Sequence, residues 1–243
     1  MNKQGLSREG LKTVACVSML LDHIGATLIS GWLMSLDGAA PAELFWVYYI
    51  LRSIGRIAFP IFCFQLAEGA YYTKDPKKYA LRLMIGALLA EVPFDLAFFG
   101  EISWQHNNVM VTLLLGFLML EGMNRVKGFW KAAVIVSFYV AAELFHTDYA
   151  GEGILLIALF ALTKGIKYEK WLQLLGMLLL GSNAAVMVNG VPIYMDRCKL
   201  LALLPIFAYD GRKVSQSKAV QWGFYLFYPV HILVLYFLEQ ILF

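Results

Sequence analysis

Charge is scarce in this chain of 243 residues: Asp, Glu, Lys and Arg together make up 15% of it, against about 25% in an ordinary soluble domain. Hydrophobic residues fill 60% of the sequence and the mean hydropathy is +0.65, so a soluble fold is excluded as the expectation. Cysteine is scarcer still. Cys16, Cys63 and Cys198 lie far apart, the first two inside apolar runs, so neither a disulfide framework nor a metal-ligand spacing is present. The net charge of +3 is too small to suggest a nucleic-acid partner. No fixed-period repeat is visible and the two ends do not resemble one another, which removes the signature of the many transporters built from two related halves. A signal peptide is also missing: Lys3, Arg8 and Lys12 precede an apolar run, but Asp22 and His23 interrupt it and no small-x-small cleavage site follows, so the run is read as a retained first span.

What the chain has in abundance is apolar runs. A spanning helix needs about 20 mostly apolar residues, and the runs between charged or Gly/Pro-containing breaks give nine candidate spans, approximately 11–34, 44–72, 79–99, 108–124, 129–145, 150–164, 171–188, 199–209 and 222–243. The eighth crosses only if Val191 to Lys199 contributes to it. Sixteen of the twenty basic residues then fall on one side, in the groups around Lys3, Lys74–Arg82, Arg125–Lys131, Lys164–Lys170 and Arg212–Lys218, while the opposite loops hold only Arg197 and Lys199. Basic loops stay in the cytoplasm. The expectation is an all-α polytopic integral membrane protein, one transmembrane domain over 1–243, with about nine transmembrane helices, eight as the alternative, and a cytoplasmic N-terminus.

An ionisable group facing lipid costs at least about 2.5–3.5 kcal/mol, so each one inside a span needs a partner or a task. Eight qualify: Asp22, His23, Arg52, Arg56, Glu68, Glu91, Asp95 and His231. Asp22 and His23 sit near the middle of the first span, and His exchanges protons near neutral pH without large tuning. Arg52 and Arg56 are four apart on one helix face, with Gly55 allowing close helix approach and Pro60 freeing a carbonyl. Two guanidiniums on one stripe require anions, either Asp22, Glu91 or Asp95, or a ligand phosphate or developing oxyanion. Glu91 and Asp95 flank Pro93, also four apart, and suit a proton relay or pairing with the arginines. Glu68 lies about three turns cytoplasmic of Arg56, where it would meet the polar part of a cytosolic cofactor or solvent. His231 follows Tyr228 and Pro229 in the last span, where a hydroxyl of Tyr225 or Tyr228 is its expected partner. Outside the spans, Asp148, Tyr149 and Glu152 in HTDYAGEG read as the rim of an external pocket, and AYDGRK (208–213) reads as a type I turn.

Taken together, LKTVACVSMLLDHIGATL, GRIAFPIFCFQLAEGAYYT with Tyr79 and Arg82-Leu83, EVPFDL, DYAGEGIL, LPIFAYDGRK and FYLFYPVHIL resemble the TraX family. That family is named for the pilin acetylase of conjugative plasmids and belongs with the wider group of transmembrane acyltransferases. The resemblance runs from about Leu11 to the end, with six motifs in register; Ile232 stands where Leu often follows the last-span histidine. It implies a bacterial cytoplasmic (inner) membrane protein that moves an acetyl group from cytosolic acetyl-CoA to an acceptor at or beyond the membrane. The essential first-span histidine of the wider group matches His23. Pilin is not carried over as the acceptor, which is left open among a glycan, a lipid, a peptide or a pilin-like protein.

On this reading His23 is the general base toward a hydroxyl or amine, or a nucleophile that carries the acetyl group. Asp22 orients or charge-balances it, and Arg52 and Arg56 stabilise the oxyanion or bind the pantetheine-diphosphate arm. Glu68, Glu91, Asp95, His231, Tyr228, Asp148 and Glu152 are candidates for substrate and cofactor binding. No metal and no nucleic acid is expected; the partners are membrane lipids and the CoA thioester, with homo-oligomerisation open. A proton-coupled small-molecule exporter that uses Asp22, Glu91 and Asp95 as carriers is the alternative, and a structural or assembly subunit is the third reading.

Overall fold

The computed structural model describes residues 5–36, 39–103, 105–180, 186–188, 191–214 and 218–243. It is built of helices with one short hairpin, and it divides into two compact units, 1–62 with 181–243, and 63–180.

The first unit opens with α1 (Arg8–Ile24). Ser7 caps it, its Oγ accepting the Gly10 N–H at 3.1 Å, one of the donors a helix start leaves unanswered. Leu11, Ala15, Ser18 and Met19 are buried at the i, i+4, i+7, i+8 spacing of one helix face, and Asp22 continues that stripe. A π-helical turn, Gly25–Ile29, carries the helix into α2 (Ser30–Ser35). The wider turn follows directly on the Asp-His pair, a place where such bulges recur at functional sites. Helix α3 (Ala42–Gly55) packs on α1.

The expected continuous run 44–72 is two helices. α3 stops at Gly55 and α4 (Ala58–Tyr72) starts after Arg56 and Ile57, because Pro60 cannot donate to the Arg56 carbonyl and its ring crowds that oxygen. The break places Arg52 in the last turn of α3 and Arg56 at its C-cap, an end that favours cations.

Later in the same unit, β1 (Val186–Val188) pairs antiparallel with β2 (Val191–Ile193), so the expected helical run 171–188 is corrected at its end. Valine-rich segments flanking Asn-Gly are the sequence signature of a tight hairpin. A 3₁₀ segment (Met195–Ala202) and α10 (Leu203–Phe207) follow, in place of a single run 199–209. Gly211 takes φ 75° and Asp210 Oδ1 accepts the Arg212 N–H at 2.9 Å in the AYDGRK turn. Leu6 bridges Tyr209, through Leu6 N–H to the Ala208 carbonyl at 2.7 Å and Asp210 N–H to the Leu6 carbonyl at 3.1 Å. Two basic segments from opposite ends of the chain thereby share one edge. The unit closes with α11 (Lys218–Leu242), which buries Tyr228, His231, Ile232 and Leu235 as a single stripe.

The second unit holds most of α4 and then α5 (Pro76–Phe99), α6 (Val109–Arg125), α7 (Trp130–Leu144), α8 (Ala150–Thr163) and α9 (Glu169–Leu180). Asp75 caps α5 through Oδ1 to the Lys78 N–H at 3.0 Å, with Pro76 at the favoured first position. Asn108 caps α6 through Oδ1 to the Met110 N–H at 2.9 Å. Helix α6 meets α5, α7 and α8, and α9 leans on α8, around a core of Phe117, Met119, Ile154, Ile157, Phe160 and Met177, none more than 2% exposed.

By length and composition, three helical stretches among the described residues suffice to cross a membrane: Arg8–Ser35, Ala42–Tyr72 and Trp222–Leu242. At 1.5 Å per residue, α9 with its 12 residues is about 18 Å long, against a hydrocarbon core of about 30 Å.

Candidate functional site

Helices α1, α3 with its C-cap, and α11 of the first unit carry six of the residues singled out from the sequence: Asp22, His23, Arg52, Arg56, Tyr228 and His231. Asp22 Oδ2 meets Arg52 Nη1 at 2.8 Å and Asp22 Oδ1 meets Arg56 Nη2 at 3.3 Å. One carboxylate thus answers both guanidiniums, and Asp22, among the three anions the sequence offered, is the one that does so in this unit. The side chains are 13% exposed for Asp22 and 23% for each arginine, so the cluster is largely withdrawn from solvent. Gly55 makes the approach possible. A Cβ there would lie 2.2 Å from both Cβ and Oδ1 of Asp22, closer than any side chain tolerates. Arg56 also turns its Nε–H toward the Arg52 carbonyl at 3.4 Å, while the Arg52 Nε–H is buried without a hydrogen-bond partner among the described residues.

One position further along α1, His23 points elsewhere. Its Nδ1 lies 2.7 Å from Nε2 of His231 on α11, with the two rings nearly parallel, 8° apart. His231 Nδ1 in turn donates to the Phe227 carbonyl one helical turn earlier, at 2.5 Å. Tyr228 is buried beside them, its ring centroid 6.0 Å from each imidazole. The sequence led to a tyrosine hydroxyl as the expected partner of His231; the structure gives it a second histidine and a main-chain carbonyl. Below the pair, the Thr27 hydroxyl donates to the His23 carbonyl at 2.8 Å, which ties the π-helical turn to the site.

The remaining candidates lie in the second unit. Glu91 Oε2 accepts from the side-chain amide of Asn108 and from its N–H at 3.4 Å. Asp95 Oδ2 accepts the Ser103 N–H at 2.9 Å. Each carboxylate keeps one buried oxygen with no partner among the described residues, Glu91 Oε1 and Asp95 Oδ1. Glu68 pairs with Lys164, whose Nζ also lies 4.1 and 4.3 Å from the ring centroids of Tyr71 and Tyr72.

Asp148 is exposed and Glu152 lies in the first turn of α8. Their turn is strained, with φ 45° at His146 and 41° at Ala150, and it is held by Asn107, which bridges Thr147. Asn108 and Lys164, the partners of Glu91 and Glu68, were not singled out for those roles. The signal available for Asn108 was its place at the start of an apolar run, where a helix cap belongs.

No group of three or more His, Cys, Asp or Glu side chains suited to a metal ion occurs among the described residues.

Comparison with known proteins adds a family and two relatives. The model for the TraX protein family matches residues 7–239. The chain is 31% identical over 244 residues to the "Probable fimbrial assembly protein FimC, serogroup H1" of Dichelobacter nodosus, covering 93% of this chain and 92% of that protein. It is 29% identical over 167 residues to an uncharacterized protein of Rickettsia prowazekii, covering 66% of this chain and 56% of that one. No solved structure matches.

Proposed function

The chain belongs to the TraX family, and from that premise we propose that it is a membrane-embedded acyltransferase that moves an acetyl group from cytosolic acetyl-CoA to a hydroxyl or amine at or beyond the membrane. The observation that carries the reading is that neighbouring positions of α1 hold both halves of the chemistry in one unit: His23, bound to His231, and Asp22, which fixes Arg52 and Arg56. Acyl transfer to an alcohol or amine needs a proton acceptor and a stabiliser of the developing oxyanion, and both are present there.

His23 takes the proton as the acceptor's oxygen or nitrogen attacks the thioester carbon. The negative charge that gathers on the carbonyl oxygen is met by the guanidiniums of Arg52 and Arg56. Collapse re-forms the carbonyl and breaks the carbon–sulfur bond, and the departing thiolate takes the proton back from His23 to leave as CoA. Asp22 serves chiefly to hold the arginines. The buried Arg52 Nε–H, without a partner among the described residues, fits an additional anionic or carbonyl oxygen, and this favours the thioester in this unit. His23 acting as the acetyl carrier is the variant of the same scheme.

We place the chain in the bacterial inner membrane as a multi-pass protein with about nine spans and a cytoplasmic N-terminus. The Leu6–Tyr209 bridge supports this, since it joins two basic segments that the charge distribution assigns to one side. The Asn107–Thr147 bridge and the Glu68–Lys164 pair each likewise join ends assigned to a common side. Helices α6 to α9 hold 17, 15, 14 and 12 residues, so crossing at these lengths calls for a locally thinned bilayer.

The exporter alternative draws on the oxygens of Glu91 and Asp95 that have no partner among the described residues. Two measurements on detergent-purified protein decide. Acetyl-CoA is expected to raise the melting temperature, as a ligand of the folded state does. His23→Ala is expected to lower acetyl transfer by about 10²–10⁴-fold, the range of lost acid–base catalysis, with CoA binding retained, while His23→Gln also stays inactive. No thermal shift at millimolar CoA, together with proton-coupled uptake in vesicles, would favour the exporter.

A further inference from the structure

A bond between two histidines leaves open which nitrogen carries the proton, and here the surrounding bonds close the question. The Phe227 carbonyl can only accept, so the His231 Nδ1 that lies 2.5 Å from it carries a hydrogen. A neutral imidazole holds one N–H, so the other nitrogen of His231, Nε2, holds a lone pair. That lone pair faces His23 Nδ1 at 2.7 Å, so His23 Nδ1 must be the donor. With both rings neutral the chain of donors has one solution, and it leaves the lone pair of His23 on Nε2.

The reverse arrangement would set two N–H groups, or two lone pairs, against each other at one of the contacts. In that case the buried His231, 8% exposed, would lose a hydrogen bond at a place with little access to water. The nearly parallel rings and the stacking of Phe227 on His231, with centroids 4.6 Å apart, hold the geometry from a second direction.

We infer that His231 is the positioning residue of the reaction: by anchoring its own Nδ1–H on the Phe227 carbonyl and accepting the Nδ1–H of His23, it sets the tautomer in which Nε2 of His23 receives the proton. This rests on the acyl-transfer reading given above. The role is the one a carboxylate plays for a catalytic histidine in hydrolytic triads, where the orienting partner fixes the ring and its tautomer. Here the partner is neutral. When Nε2 of His23 takes up a proton, the His231 lone pair faces the N–H of the resulting imidazolium, and the positive charge can be shared across the bond without any group leaving its place.

The test has a spectroscopic arm and a kinetic arm. Nitrogen-15 spectra of histidine-labelled protein in detergent, assigned by His23→Gln and His231→Gln, report which ring nitrogens are protonated. The expected result is a hydrogen on Nδ1 and a bare Nε2 for both rings, with a coupling between His23 Nδ1 and His231 Nε2. A hydrogen on Nε2 of His23 would overturn the inference.

In the kinetic arm, His231→Leu is expected to lower kcat by on the order of 10²–10³-fold, with the KM for the acyl donor moved by less than about threefold. His231→Gln places an amide oxygen where Nε2 stood, still able to accept from His23, and is expected to restore kcat to within about tenfold of wild type. His231→Asn keeps a donor for the Phe227 carbonyl but is too short to reach His23, so it is expected to behave like His231→Leu. A His231→Leu protein with wild-type kcat, or a His231→Gln protein no better than His231→Leu, would overturn the role. The spectra need no turnover. Wild-type protein that shows the expected tautomer but transfers no acetyl group would sink the acyl-transfer reading while supporting the assignment of the hydrogens.

Discussion

Asp22 in the first unit and the Glu91–Asp95 pair in the second meet the same problem, a carboxylate among apolar helices, with different chemistry. In the first, a carboxylate is answered by two cations, and Asp22 binds Arg52 and Arg56 across the α1–α3 contact. In the second, Glu91 and Asp95 are answered by uncharged donors, the Asn108 amide and the Ser103 N–H, and each retains an oxygen without a partner among the described residues. A charge bound by opposite charge is costly to disturb on either side, because removing one member strands the other in a poorly solvated place. A carboxylate held by neutral donors exchanges for its amide at little cost. The first unit is therefore expected to be brittle at Asp22 and the second forgiving at Glu91 and Asp95, in contrast to its own Glu68, which Lys164 answers with charge.

The largest expected effect comes from Asp22→Ala. It leaves two guanidiniums unanswered and should destabilise the protein by about 3–5 kcal/mol, read as the loss of folded protein in detergent unfolding. Arg56→Ala should cost less, since Arg52 keeps the shorter contact of 2.8 Å. Should Asp22→Ala unfold no more readily than wild type, the contrast between the units fails.

Glycines sharpen the comparison. Gly55→Ala drives a methyl group into the first carbon of the Asp22 side chain at 2.2 Å, which no rotamer change relieves, and about 1–3 kcal/mol of overpacking follows. In Gly86→Ala of the second unit the new carbon meets only the terminal methyl of Met110 at 2.8 Å, which can swing aside. The gain in helix propensity, up to about 1 kcal/mol, should then leave stability equal or improved. Thermal unfolding of both variants side by side gives the sign of each.

Glu91→Gln should shift stability by less than about 1 kcal/mol, because the amide oxygen still accepts from Asn108. A larger loss would mean that the negative charge itself is being used in the second unit.

The smallest expected effect is at Asp75. The Lys78 N–H, its side chain and its charge hold the Asp75 carboxyl below the ordinary carboxylate range. A depressed folded value means that the cap contributes above the unfolded value of about 3.9 and is lost as the pH falls through the lower, folded one. Asp75→Ala should therefore melt slightly earlier than wild type at neutral pH, and the two curves should converge in acid.

Much of this was legible before any coordinates. With charge so rare, every ionisable group in an apolar run stands out, and Arg52 with Arg56 calls for an anion, for which the sequence offers Asp22, Glu91, Asp95 or a ligand without choosing among them. The histidine bond could not be matched that way. His23 and His231 are 208 residues apart, and a neutral imidazole pair leaves no charge pattern to read. Asn108 carries no charge either, so nothing in the sequence pairs it with Glu91. The break at Arg56 and Ile57 was signalled by Pro60, and the hairpin by Asn189-Gly190. Both signals sit inside long apolar runs whose hydrophobicity overwhelmed them.

The distance along the chain between the two histidines also sets an order in time. At about 5–20 residues per second, the segment carrying His231 leaves the ribosome about 10–40 s after the one carrying His23. Asp22, by contrast, waits for only 34 more residues before Arg56 arrives. The ion pair is thus available early to secure the first helix while all of 63–180 is still being made. The residue that completes the histidine contact is synthesised late, so a chain that ends before α11 carries the arginines and the first imidazole without His231. On the proposed reading, the groups for acyl transfer are all synthesised early, and only the contact that orients His23 waits for the end of the chain.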